Sequence, residues 1–299
     1  MHNHVYTKKV IRTEKKVKVD LVMSLIHINI EDIQGLIDNK IKESINLDYK
    51  KELDKYNDEI AKDISAFANT SGGRIIYGIE EINNLPTLMN WIGSKGVRER
   101  IESVILTNIQ PKLKEYDIYS IENPENHSQA ILVVDIPESP DAPHMANNRY
   151  YIRRKFISEP MEDLEVKNAI FRKGLRKALE NEINQNIDLA NKIYEFINAY
   201  TNYGANDQIL IIPFHIEAWK AFVNSGMLFI IKDRANELVE AYNIINEINF
   251  LIDTLRYGNY GNNGIRIATI DYDHGGNISF IIREKIHKLK PIIQKIKFD

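Results

Sequence analysis

The stretch DISAFANTSGGRIIYGIEE (63–81) constrains this chain more than any other. Ile60, Ile64, Phe67 and Ala68 fall on one face at helical spacing, which predicts a helix starting near Tyr56. Gly72 and Gly73 then end it, because glycine enters the left-handed region without a Cβ clash. RIIYGI follows as an apolar, β-branched run, the signature of a strand buried on both faces. Helix, paired glycines and core strand therefore form one compact unit. It is not a phosphate loop: a Walker motif needs Gly-Lys-Ser/Thr opening a helix after a strand, and here the order is reversed with Arg74 after the glycines.

Around this unit the chain has two textures. Up to about residue 155, strand-like runs (DIYSI, AILVVDIP, RYYIR) alternate with helical patterns. From about residue 160 the pattern is helical, with Leu175, Leu179, Ile183 and Ile187 recurring on one face. Ser158, Glu159 and Pro160 mark the boundary. The expectation is an α+β fold: a basic N-terminal segment (1–29), a mixed sheet with flanking helices (30–160) and a mainly helical domain (161–299). GNYGNNG (258–264) and DYDH (271–274) read as loops, residues 265–270 as a possible strand, GMLFII (226–231) as a core segment, and Pro291 as a break or kink in the last helix.

A net charge of −3 argues against a surface coated in basic charge for indiscriminate nucleic-acid binding. Both ends are nevertheless locally basic, through Lys8, Lys9, Arg12, Lys15, Lys16 and Lys18 at one and Arg283, Lys285, Lys288, Lys290, Lys295 and Lys297 at the other. The plain reading is two solvated faces; a phosphate footprint is the alternative. The absence of cysteine removes disulfides and thiolate metal sites. No apolar run approaches the ~20 residues of a membrane span, and the N-terminus lacks the apolar core of a signal peptide, so the expected location is the cytoplasm.

The acids raise the functional question. Glu43 and Asp48 are five apart, and Lys50 follows two beyond Asp48. If INLDYK is a strand, Asp48 and Lys50 share a face. Glu43 is expected at the end of the preceding helix, and Glu80 and Glu81 at the end of the strand from Arg74. Meeting in space, these acids would make a hard oxygen cluster suited to Mg²⁺ or Mn²⁺, with Lys50 able to hold a phosphate or offset developing negative charge. Left apart, they are surface charges.

These residues resemble the Schlafen AlbA-type domain family. The resemblance rests on Glu43, LDYK (47–50), AFANTSGG (66–73), GIEE (78–81) and SPDAPHMANNRYYIRRKFISEPM, which occur in the family's order over about residues 30–165. In nuclease members of the family, three acids bind a divalent cation that cuts RNA. The resemblance carries these onto Glu43, Asp48 and Glu81, with Glu80 as the neighbour that could substitute. Asp48 and Glu81 stand where the family often has Glu and Asp, which changes the reach of each carboxylate. Arg153, Arg154 and Lys155 follow Tyr150 and Tyr151, an aromatic and basic mix suited to single strands, although strand tyrosines also serve as packing. His144 matches the family's Pro-His and could contact phosphate or metal; a histidine hydrogen-bonded in a turn is the plainer reading. The resemblance implies a nucleic-acid-binding protein, RNA favoured over DNA, and a metal-dependent endoribonuclease, with a place in phage defence. The alternatives are a non-catalytic regulator, or a helical module that assembles as a homo-oligomer or with a partner protein.

Overall fold

The computed structural model describes residues 27–203, 212–226, 234–257 and 275–296. The basic stretch before residue 27, the glycine-rich loop, the strand expected near 265–270, DYDH and most of GMLFII lie outside them. The chain divides into two compact units, one of residues 1–139 and 144–160, the other of 140–143 and 161–299.

In the first unit, α1 (Ile30–Asp38) opens with a capping box. The Asn29 side chain accepts from the Asp32 N–H, and the Asp32 carboxylate accepts from the Asn29 N–H. β1 (Leu47–Lys50) is followed by α2 (Asn57–Ala68), β2 (Gly73–Tyr77), β3 (Ile79–Ile82), β4 (Leu85–Met89), β5 (Ile92–Gly93) and α3 (Val97–Asn108). Then come β6 (Ile109–Gln110), β7 (Asp117–Asn123), β8 (Asn126–Ile136), β9 (Met145–Ala146), β10 (Arg149–Arg154) and β11 (Ile157–Pro160). The main sheet is mixed: β1 runs parallel to β2, β2 antiparallel to β8, and both β7 and β5 pair antiparallel with β8. A second sheet has the order β11-β10-β9-β6, and β3 and β4 form a hairpin.

β2 is buried along its whole length, as its apolar, β-branched run requires. Ile75 and Tyr77 join Ile60, Ile64, Phe67, Ile101 and Ile105 from α2 and α3 in one core. Ile76 turns the other way, into a second core with Ile33, Leu47, Tyr49, Ile131 and Val133. Arg74, itself buried, is held by Asp135 on the neighbouring strand through hydrogen bonds of 2.5 and 2.7 Å.

Two local readings of the sequence are corrected. α1 ends at Asp38, so Glu43 lies in the loop beyond it; the Asn39 amide donates to Gly35 O and Lys40 takes a φ of 48°, which turns the chain out of the helix. Glu80 and Glu81 do not terminate β2 but sit within β3, because Gly78 (φ 99°) breaks the strand and sends the chain into a separate hairpin.

The second unit consists of α4 (Asp163–Tyr203), α5 (Glu217–Asn224), α6 (Ala235–Tyr257) and α7 (Gly275–Lys295). Leu179, Ile183, Phe222, Leu238, Ile245, Ile248, Ile286 and Leu289 form its core. Pro291 does not end α7, which continues to Lys295. Glu182 is buried inside the bundle and receives the N–H groups of Ala218 and Trp219 at 2.6 and 3.0 Å and the Tyr242 hydroxyl at 2.7 Å. A carboxylate thus satisfies the open N–H groups at the start of α5. No helix among the described residues is long and apolar enough to cross a membrane.

Candidate functional site

Among the described residues, β1 lies at the end of its sheet beside β2, with a single bridge from Leu47 to Ser44 besides. Leu47 and Tyr49 enter the α1-side core, which leaves Asp48 and Lys50 facing α2. Asp48 is 2% exposed. Its Oδ1 accepts from Arg153 Nη2 at 2.5 Å, and its Oδ2 lies 2.9 Å from Lys50 Nζ. Lys50 also reaches the buried Asp63 of α2, at 3.4 Å. Burial alone would lower the Lys50 pKa, but Asp63 and Asp48 outweigh it and raise it above the usual lysine range.

Glu43 is also buried, and its Oε1 accepts the Tyr49 N–H at 2.9 Å, so a side chain rather than a strand satisfies that backbone donor. Burial pushes the Glu43 pKa up to about 7; the Tyr49 N–H and Arg153 oppose this, and Asp48 and Glu81 add to it. Glu43 is therefore within electrostatic reach of both Asp48 and Glu81. Glu81 itself is exposed, with Oε2 accepting the Asn84 N–H at 2.6 Å, and Glu80 pairs with Lys51 at 2.9 Å.

The AFANTSGG segment ties the two sheets together. The Asn69 amide donates to the carbonyls of His144 and Tyr151 at 2.8 and 2.9 Å and accepts the His144 N–H at 2.6 Å. Thr70 Oγ1 accepts the Arg153 N–H at 3.0 Å. A Cβ on Gly73 would stand 2.3 Å from the Phe67 ring and 2.6 Å from Asn46 O, so only glycine fits. His144 is fully buried, with Nδ1 2.7 Å from Pro111 O and Nε2 2.7 Å from Ser139 Oγ. Tyr151 belongs to the core with α2 and α3.

Of the cations after Tyr151, Arg153 is internal: besides Asp48 it lies over the Phe67 ring, 4.9 Å from the centroid. Arg154 and Lys155 are exposed at the turn between β10 and β11. Arg154 pairs with Glu159 at 2.6 Å, and Lys155 adopts a φ of 44°. The Lys155 and Lys42 ammonium groups each stand 4.9 Å from the centre of the Phe156 ring. A basic and aromatic group thus gathers at the hairpin tip beside the loop that carries Glu43. Sequence reasoning did not single out Lys42, Phe156 or Asp63. For Lys42 the only signal was its place next to Glu43.

The acids do not fit a divalent cation as they stand. Both Asp48 oxygens face protein cations, Glu80 is paired, and no three Asp, Glu or His side chains among the described residues are grouped closely enough to hold a metal ion. What the arrangement offers is a buried carboxyl group, Glu43, with its pKa raised to about 7 and within electrostatic reach of Asp48 and Arg153, and cations on the rim.

Residues 43–162 match the family model for Schlafen, AlbA_2, so this segment is a Schlafen AlbA-type domain, of a nucleic-acid-binding, nuclease-like family. The solved DIP2311 protein from Corynebacterium diphtheriae is similar at 16% identity over 47% of this chain and 27% of its own, with a TM-score of 0.33. The chain therefore spans about a quarter of that structure's length. No match was found among curated proteins.

Proposed function

We propose that the first unit binds nucleic acid, RNA in preference to DNA, through the tip of the β10–β11 hairpin and the adjoining Lys42. The observation that carries this reading is the meeting of Lys42 and Lys155 at the Phe156 ring, with Arg154 exposed beside them. Cations at a hairpin tip meet phosphates and release counterions, and an aromatic ring among them offers a stacking surface to an unpaired base. Fluorescence anisotropy with a labelled structured RNA and a DNA of the same sequence tests it. Tighter binding to the RNA that weakens with salt supports the reading; no binding to either at low salt refutes it.

Cleavage of the bound RNA is the second reading, favoured by the Glu43 carboxyl, whose pKa of about 7 suits a group that takes or gives a proton near neutral pH. Lys50, protonated and partly exposed, would stabilise negative charge on a phosphate. Incubation with tRNA tests it, with Mg²⁺ or Mn²⁺ and then with a chelator. Cutting that the chelator stops supports a metal-dependent endoribonuclease, and intact RNA under every condition leaves binding as the function. For the helical unit, the exposed Phe250 and Phe280 favour assembly with a second copy or a partner protein.

A further inference from the structure

Asp63, Lys50, Asp48 and Arg153 form a chain of alternating charge on the α2 side of β1. The successive contacts are 3.4, 2.9 and 2.5 Å. Two carboxylates face two cations, so the group is balanced from within. Arg153 is 2% exposed and fixed from three sides: by Asp48, by the Phe67 ring, and through its own N–H by Thr70 Oγ1. A divalent ion on Asp48 would have to displace this guanidinium, stranding a buried cation and adding two positive charges to a balanced group.

We infer that Arg153 is the built-in counter-ion of Asp48, and that Asp48 belongs to a charged strut joining β1 to β10 rather than to a divalent-metal site. The two residues are 105 positions apart in the chain. Their contact sets the tip end of the hairpin against β1, the strand that follows the loop carrying Lys42 and Glu43, and it does so without a metal. The inference does not depend on whether the unit binds nucleic acid.

The test uses the full chain, with Mn²⁺ binding followed by electron paramagnetic resonance and unfolding followed by melting temperature. Wild type is compared with Asp48→Asn, Arg153→Met and the double variant. Each single variant should lower Tm by on the order of 10 °C, because Asp48→Asn leaves the buried Arg153 without its carboxylate and Arg153→Met takes from Asp48 one of its two cations, and the double variant should lose less than the two together. Mn²⁺ bound by wild type should be unchanged in Asp48→Asn. Mn²⁺ should raise the Tm of Arg153→Met more than that of wild type, since Asp48 has lost one of its two internal cations and its Oδ1 is open. A variant too unstable to titrate still leaves the Asp48→Asn comparison, which decides by itself. One equivalent of Mn²⁺ held by wild type and lost in a folded Asp48→Asn protein overturns the inference. So do additive single effects, and so does an Arg153→Met protein that Mn²⁺ stabilises no more than wild type.

Discussion

Replacing Glu43 by glutamine keeps the shape of the side chain and an oxygen to accept the Tyr49 N–H, but removes a charge that the fold holds at a disadvantage. The carboxyl titrates near pH 7 in the folded protein against 4.5 in its ordinary state. A rise of about 2.5 units corresponds to roughly 3 kcal/mol. Because the folded pKa is the higher one, the native state binds the proton more tightly than the unfolded chain between these values. Wild type therefore loses stability as pH rises from about 4.5 to about 7, and the loss is complete above that. Glutamine does not titrate. Its weaker hydrogen bond from Tyr49 costs about 1 kcal/mol relative to an ionised acceptor. Glu43→Gln should thus be about 2 kcal/mol more stable than wild type at pH 8 and no more stable at pH 4.5. Urea unfolding in chelator, read by Trp91 fluorescence in a Trp219→Phe background, isolates the first unit. A stability difference that does not change with pH, or a variant weaker than wild type at pH 8, refutes the reasoning.

Other outcomes follow from the same contacts. Gly73→Ala should destabilise the first unit by about 3 kcal/mol, since its Cβ meets both the Phe67 ring and the Asn46 carbonyl; urea unfolding measures it. Glu182→Ala should cost the helical unit about 3 kcal/mol by leaving two backbone N–H groups at the start of α5 and the Tyr242 hydroxyl without their acceptor, as urea unfolding read from Trp219 would show. Phe250, at 72% exposure, should matter little to folding but much to assembly. Phe250→Glu together with Phe280→Glu should lower the mass seen by light scattering without changing Tm, and an unchanged mass removes these residues from any assembly surface.

Local structure was legible in the sequence wherever it rests on short-range rules. The helix, paired glycines and strand from Asn57 to Tyr77 follow from apolar spacing and from the space that only glycine leaves beside Phe67. The shared face of Asp48 and Lys50 follows from strand alternation. Contacts across long separations were not legible. Nothing in the spacing shows that Arg153 turns inward to Asp48 while Arg154 and Lys155 turn outward, because that depends on how β10 lies against α2. Asp63 reads as one more acid in a charged helix until the fold places it against Lys50. His144 and Tyr151 belong to a motif whose visible work here is to join loops and strands through Asn69. The pairing of Lys42 with Phe156 links segments more than a hundred residues apart.

The central claim, that the hairpin tip is the nucleic-acid contact, is tested most directly by salt titration of RNA binding for wild type and for Lys42→Glu/Arg154→Glu/Lys155→Glu. Each phosphate contact on a single strand adds about 0.7 to the slope of log affinity against log salt. Removing three cations should reduce that slope by about 2 and weaken binding at low salt, with Tm unchanged because all three side chains are exposed. An unchanged slope and affinity in the folded variant contradicts the account and places the contact on another surface.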